Sequence, residues 1–395
     1  MPAPVRGGEA GFQLEGDDAL EALLDLIGRA RRSIEICTYV LGKDEQAERI
    51  VMALCAAARR GVRVRLLLDA VGCLRVGKSQ YLPMLAAGVH VRRYMPLLHN
   101  PVRGRTNLRN HRKLLVVDRR WLWAGGRNLA GEYFLGNGRE PAWLDISFSI
   151  SGPLVLDALA LFKTDWKVGH PLPARYRLAV RQARLRLRAQ GGVVAAPTKP
   201  GLSPNEEELP PANEGQGDLL AQLLPSGPDR FDDTIYALLL GAAFHAQHQI
   251  LAITPYFVPD EGLLTAWCLA ARRGVRVRLL VPMRSNHRLA DIARMRALRQ
   301  LVQVGGEVYL YPCMLHAKAV VVDERLALAG SLNLDSRSFF LNYEAMVAFY
   351  RRQDIRALTE WIDERMVMSP RLDGHPPGVV RDVFEGMVRA VAYQL

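Results

Sequence analysis

Two histidines in this chain share one local pattern, His-x-Lys-x4-Asp, as His111-Arg-Lys113-Leu-Leu-Val-Val-Asp118 and His316-Ala-Lys318-Ala-Val-Val-Val-Asp323. In both copies a small-residue pair begins 14 positions after the histidine and an asparagine lies 17 positions after it: Gly125-Gly126-Arg-Asn128 and Gly330-Ser331-Leu-Asn333. One such motif could be a chance pair on a strand edge. Two with matched downstream residues indicate a duplicated half-site.

The chemistry that suits this set is phosphodiester exchange. A neutral imidazole can attack phosphorus while a second, protonated imidazole gives a proton to the departing alcohol. One histidine from each copy supplies both roles. Each lysine lies two residues from its histidine and so projects from the same strand face, where two ammonium groups could hold non-bridging phosphate oxygens. Asn128 and Asn333 offer amide donors. The apolar runs Leu114–Val117 and Ala319–Val322 read as buried strands, which would make a rigid mount.

The elements around the motifs repeat as well. Arg59-Arg-Gly-Val-Arg-Val-Arg-Leu-Leu67 recurs letter for letter as Arg272 to Leu280, each after an alanine-rich segment. Helical periodicity thus ends at Gly61 or Gly274 and an alternating Val/Arg strand follows. Upstream, helical spacing from Asp17 to Ile27 leads into a strand at Ser33–Tyr39, and Phe231–Ala246 leads into Gln249–Thr254 in the same order. Strands alternating with helices imply an α/β fold whose sheets are covered by helices. The spacing divides the chain into a first half, 1–170, a basic and Pro/Gly/Glu-rich connection, 171–218, and a second half, 219–395.

Bulk properties limit the partners. A length of 395 residues accommodates two ordinary domains, and 49% hydrophobic with 23% charged residues is a globular composition. The formal net charge of +12 calls for an anionic partner, either nucleic acid or an acidic membrane surface. The five cysteines, Cys37, Cys55, Cys73, Cys268 and Cys313, are widely spaced and suggest neither a disulfide framework nor a zinc site. No signal-peptide pattern opens the sequence and no apolar run is long enough to span a bilayer, so work on a membrane would be done from its surface. Three segments bear on that surface. Arg92, Arg93, Arg103, Arg105 and Arg109 cluster before the first motif. Arg175–Arg188 carries six arginines and no acid, and reads either as a solvated helix face or as a contact for anionic headgroups. Val379–Val391 has an apolar helical stripe, with Glu385 on its polar side, that could dock on the second half or enter a membrane interface.

With both motifs and the repeat in view, the chain resembles the phospholipase D superfamily, and within it the bacterial cardiolipin synthases of the shorter branch that lacks N-terminal membrane-spanning helices. The similarity runs through residues 12–168 and 225–350. It includes Asn128-Leu-Ala-Gly-Glu132-Tyr133, Trp143-x-Asp145, Thr254-Pro-Tyr-Phe-Val-Pro-Asp260 and Asn333-Leu-Asp335 through Asn342-Tyr-Glu344. The resemblance implies two similar α/β/α sandwich halves packed about a pseudo-twofold axis, with one active site at their interface and no metal or other cofactor. It implies a phosphatidyl-histidine intermediate, with His111 as nucleophile and His316 as general acid and then base, or the reverse. Lys113, Lys318, Asn128 and Asn333 would bind phosphate, Asp145 and Glu344 would each orient a histidine, and Asp118 and Asp323 would brace the site. Two departures stand out: Gly126 replaces the serine retained as Ser331, and Leu144 stands where arginine is common. The implied partners are anionic phospholipids, phosphatidylglycerol or phosphatidylethanolamine, at the cytoplasmic face of a bacterial inner membrane, in preference to nucleic acid. A lipid hydrolase or a nuclease of the same superfamily is the competing expectation.

Overall fold

The computed structural model describes residues 3–95, 107–136, 138, 140–189, 217–229, 233–375, 377–378 and 385–388, without the side chains of Arg177 and of 183–189. The repeated Val/Arg runs form the strands Arg63–Asp69 and Arg276–Pro282, each preceded by an alanine-rich helix, Glu45–Arg59 or Glu261–Arg272. Alanine loses no side-chain entropy in a helix, and an aspartate caps each start: the carboxylates of Asp44 and Asp260 accept first-turn N–H groups. Just past each helix Gly61 and Gly274 take φ of +92° and +91°, a left-handed conformation that turns the chain back into the sheet.

Two sheets result. The first runs His170–Pro171, His90–Tyr94, Arg63–Asp69, Ser33–Thr38, Leu114–Val117, Trp121–Gly125, Ser147–Ser151 and Ala10–Gln13. The second runs Glu307–Tyr311, Arg276–Pro282, Gln249–Ile253, Ala319–Val322, Leu326–Gly330, Asn342–Phe349, Leu220–Ser226 and Val5–Arg6. From His90–Tyr94 to Ala10–Gln13 in one, and from Glu307–Tyr311 to Leu220–Ser226 in the other, positions correspond one to one. In each sheet the crossover strands pair in parallel and the motif strands run antiparallel to them. The strand Val5–Arg6 belongs to the first half by sequence yet edges the second sheet.

The two motif strands are buried along their full length, as their unbroken apolar runs require. Helices Gly16–Arg29, Glu45–Arg59 and Lys78–Ala87 help bury one face of the first sheet, and Thr234–His245, Glu261–Arg272 and Arg288–Gln303 one face of the second. The other faces look toward each other across the helices Leu154–Val168 and Arg352–Val367. A single buried cluster, which includes Phe148, Phe162, Phe349 and Trp361, spans both halves. The halves therefore share a core, and their relative placement is set by packing.

Some sequence expectations need revision. In the C-terminal segment only Glu385–Val388 is described: Glu385, expected on the polar side, is buried against Arg299, while Met387 is exposed. The rest of that segment and residues 190–216 of the connection lie outside the described residues, as do Arg103 and Arg105. Three arginines of the cluster before the first motif are committed internally. Arg92 donates to the carbonyl of Trp166, Arg93 to that of Ala70, and buried Arg109 to that of Met95 while pairing with Asp69. The helix Ala174–Ala189 forms as expected, with Arg175 and Arg181 exposed.

Candidate active site

Each histidine is held by backbone from the opposite half. His111 follows the strand Arg109–Asn110, which pairs with Asn342–Tyr343, and its N–H donates to the carbonyl of Tyr343 at 2.9 Å. His316 donates its N–H to the carbonyl of Leu144 at 2.6 Å, and Leu144 in turn donates to Met314. Leu144 thus enters the site as a backbone tie. The side chains are crossed in the same way. Glu344 Oε1 lies 2.9 Å from His111 Nδ1, and Asp145 Oδ2 lies 2.7 Å from His316 Nδ1. A carboxylate accepts only, so Nδ1 of His111 carries the hydrogen and Nε2 keeps its lone pair; Asp145 favours the same tautomer at His316, where Lys318 Nζ also lies 2.8 Å from Nδ1.

Burial sets the charge states. It lowers His111 to about 4 and His316 to about 3, and Lys113 and Lys318 push the same way against Glu344 and Asp145. Burial also brings Lys113 down to about 7 and Lys318 to about 8. The two carboxylates are themselves buried, which opposes ionisation, but the neighbouring histidines and lysines overcome this and hold both below the usual range. Burial thus favours the neutral imidazoles, while the carboxylates beside them stay ionised.

His111, His316, Asn128 and Asn333 all line one cavity of about 780 Å³ between the halves. The lysines do not line it. Each is buried beneath its histidine, Lys113 Nζ donating to the carbonyl of His111 at 2.5 Å and Lys318 Nζ to that of His316. Asn128 is oriented, because its Oδ1 accepts the N–H of Val40 at 3.1 Å, whereas Asn333 Oδ1 is buried without a partner among the described residues. Asp118 and Asp323 lie elsewhere, seven residues and roughly 20 Å of extended chain from the histidines. Each sits at φ near +50° in the turn that ends its motif strand. Asp118 accepts the N–H groups of Arg31, Arg32 and Ser33, and Asp323 those of Gln247, His248 and Gln249. They tie the motif hairpin to the loop before the neighbouring strand.

Ser331 donates to Glu344 Oε2 at 2.5 Å and accepts the N–H of Ala345 at 3.0 Å. The matching place in the first half is filled. A Cβ on Gly126 would come 2.2 Å from Asp145 Oδ1, and that oxygen takes the N–H of Ile146 at 2.8 Å instead of a serine hydroxyl. Several contributors were not read from the sequence. Tyr39 meets His111 edge-on and Tyr133 meets His316 edge-on, each at 4.9 Å between ring centres. Arg112, fully buried, bonds Asp165 at 2.5 Å in the first half and the carbonyls of Ser226 and Glu344 in the second. Its motif position is occupied by alanine in the other copy, so comparing the copies gave no signal. Tyr133 and Trp143 stand beside Glu132 and two residues before Asp145 in the chain, so proximity to those motif residues is the signal that marks them.

A fold of two matching halves that meet at one paired-histidine cleft defines a phospholipase-D-like architecture. The family model described as "Cardiolipin synthase, PLD-like domain" matches residues 23–144 and again 240–366, and the chain belongs to that family. Cardiolipin synthase A from Shigella boydii serotype 4 and from Escherichia coli O1:K1 are each 30% identical over 350 residues, 88% of this chain and 66% of theirs. The chain therefore spans just under two thirds of those relatives. Among solved structures, phosphatidylserine synthase from Haemophilus influenzae Rd KW20 superposes with a TM-score of 0.69 at 18% identity, covering 99% of this chain and 96% of that one. Polyphosphate kinase from Porphyromonas gingivalis gives 0.55 at 13% identity over 97% of this chain and 53% of that one. Both likenesses concern the fold.

Proposed function

We propose that the chain is a phosphatidyltransferase of the cardiolipin synthase type, passing a phosphatidyl group through a histidine to phosphatidylglycerol or another alcohol. One observation carries this reading: two imidazoles line one cleft, each held at Nδ1 by a carboxylate from the opposite half. In the first step Nε2 of His111 bonds to phosphorus and the P–O bond to the leaving alcohol breaks, with the proton on His316 passing to that oxygen. In the second, His316 takes the proton of the incoming alcohol, the new P–O bond forms and the N–P bond breaks. The anionic phosphodiester favours the imidazolium that the first step needs. Lys113 and Lys318 contribute positive charge from beneath the cleft, where low dielectric strengthens it. Asn128 offers an oriented amide donor.

Among the described residues no helix is long and apolar enough to cross a membrane, and the reading places the protein at a membrane surface with anionic phospholipid as substrate. Incubation with phosphatidylglycerol vesicles should yield cardiolipin and glycerol, and incubation with single-stranded DNA should yield nothing. Turnover of DNA alone would replace this reading with a nuclease.

A further inference from the structure

Four large apolar side chains stand exposed close to the cleft: Leu74 is 61% exposed, Leu135 47%, Met283 43% and Leu289 49%. Their positions follow the duplication. Leu74 lies in the turn after the strand Arg63–Asp69, and Met283 and Leu289 lie in the loop and helix start after its counterpart Arg276–Pro282. Both turns adjoin the site. Cys73, next to Leu74, bonds the carbonyl of Tyr39, whose ring meets His111. In the second half Asn286 and His287 contact Tyr256, and they and Leu289 line the cavity. Leu135 follows Glu132 and Tyr133, which line it too.

The same turns are basic. Arg75 and Lys78 follow Leu74, and Arg284 and Arg288 lie between Met283 and Leu289; all four are exposed and unpaired among the described residues. Asp291, the acid of that second turn, is engaged by Arg294, while Asp260 caps its helix and Glu132 and Glu261 line the cavity. Exposed leucine and methionine interleaved with unpaired Arg and Lys match a surface with anionic headgroups above acyl chains. Water alone gives such a pattern no compensation.

We propose that these two lips, Leu74 with Arg75 and Lys78 on one side and Met283 and Leu289 with Arg284 and Arg288 on the other, dock the protein on an anionic bilayer. The cleft mouth then opens onto the membrane, and a lipid headgroup reaches the histidines without its chains crossing water. This replaces the internally committed arginines before the first motif as the attachment surface. It rests on the lipid substrate proposed above, and the test separates the two.

The test uses the full chain, vesicles of mixed phosphatidylglycerol and phosphatidylcholine, and dihexanoyl phosphatidylglycerol below its micelle concentration. The double variant Leu74→Asp/Met283→Asp should lose vesicle co-sedimentation by about tenfold or more, and turnover of vesicle lipid with it, while turnover of the dispersed lipid stays within about twofold. Met52→Asp, which changes an exposed methionine on the helix Glu45–Arg59, should bind like the parent. Parent-like vesicle binding by the double variant overturns the proposal. So does equal loss in Met52→Asp, loss of dispersed-lipid turnover in step with vesicle turnover, or a change of oligomeric state without lipid, which would mark the lips as a self-interface. If binding follows the variants but neither lipid is turned over, the surface stands and the proposed activity fails.

Discussion

The two halves have the same strand order but do not complete their sites in the same way. His111, from the first half, relies on Glu344, whose second oxygen takes the hydroxyl of Ser331. His316, from the second half, relies on the shorter Asp145, whose second oxygen takes a backbone N–H and fills the space over Gly126. Asn128 is tied to the backbone of Val40, and its counterpart Asn333 is not. The two mounts are equivalent, and the side chains around them differ. In the reaction proposed above, one histidine would stay unprotonated while its partner gains and loses a proton, and small differences in carboxylate support would serve that division.

The strongest way to separate the halves is to remove each histidine. His111→Ala and His316→Ala should each lower transfer by at least about 10³-fold without unfolding, because the proposed reaction uses both as one relay. A covalent phosphatidyl adduct should be trapped in His316→Ala. An adduct in His111→Ala would exchange the two roles, and full activity in either would end the single-site account. Next come the crossed carboxylates. Glu344→Gln and Asp145→Asn should each cost about 10²-fold in kcat, since the amide can hold the wrong tautomer. An effect confined to KM would show that they do not orient the rings.

Alkaline titration tests the buried lysines. kcat/KM should fall as pH rises through about 7 to 8, where Lys113 and Lys318 lose their charge. Both values lie below the ordinary 10.5, so over that interval the unfolded chain binds more protons than the folded one and stability rises with pH. Falling activity with a steady or rising Tm is the expected signature, and a parallel fall in Tm would assign the loss to unfolding.

A smaller effect probes the Gly126 and Ser331 difference. Gly126→Ser should crowd Asp145 and cost about 1–3 kcal/mol, with a loss of activity that Asp145→Gly in the same chain does not restore. Ser331→Gly should cost less, because it removes a contact without creating a clash. Equal effects would mean that the halves tolerate the same residues. The smallest effect on chemistry belongs to Asp118→Ala and Asp323→Ala. Each should lower stability by about 1–3 kcal/mol through lost N–H acceptors, with kcat of the folded protein nearly unchanged. A loss of kcat at constant stability would instead give these aspartates a part in the chemistry.

The sequence alone determined the duplication, the α/β alternation, both motif strands and the histidine, lysine and asparagine pairs, because these are local patterns repeated at fixed offsets. It also pointed to Asp145 and Glu344 through the family resemblance, but not to which histidine each serves. That pairing spans 171 residues in one case and 233 in the other, and it exists only once the two sheets close on their shared core. The same holds for Arg112, whose partners come from both halves, and for the arginines at 92, 93 and 109, which a charge count places in solvent and the fold turns inward. Local propensity fixes strands and helices over a few residues. Hydrogen-bond partners hundreds of positions apart are selected by packing, since a buried donor or carboxylate must be satisfied by whatever the closed core places beside it.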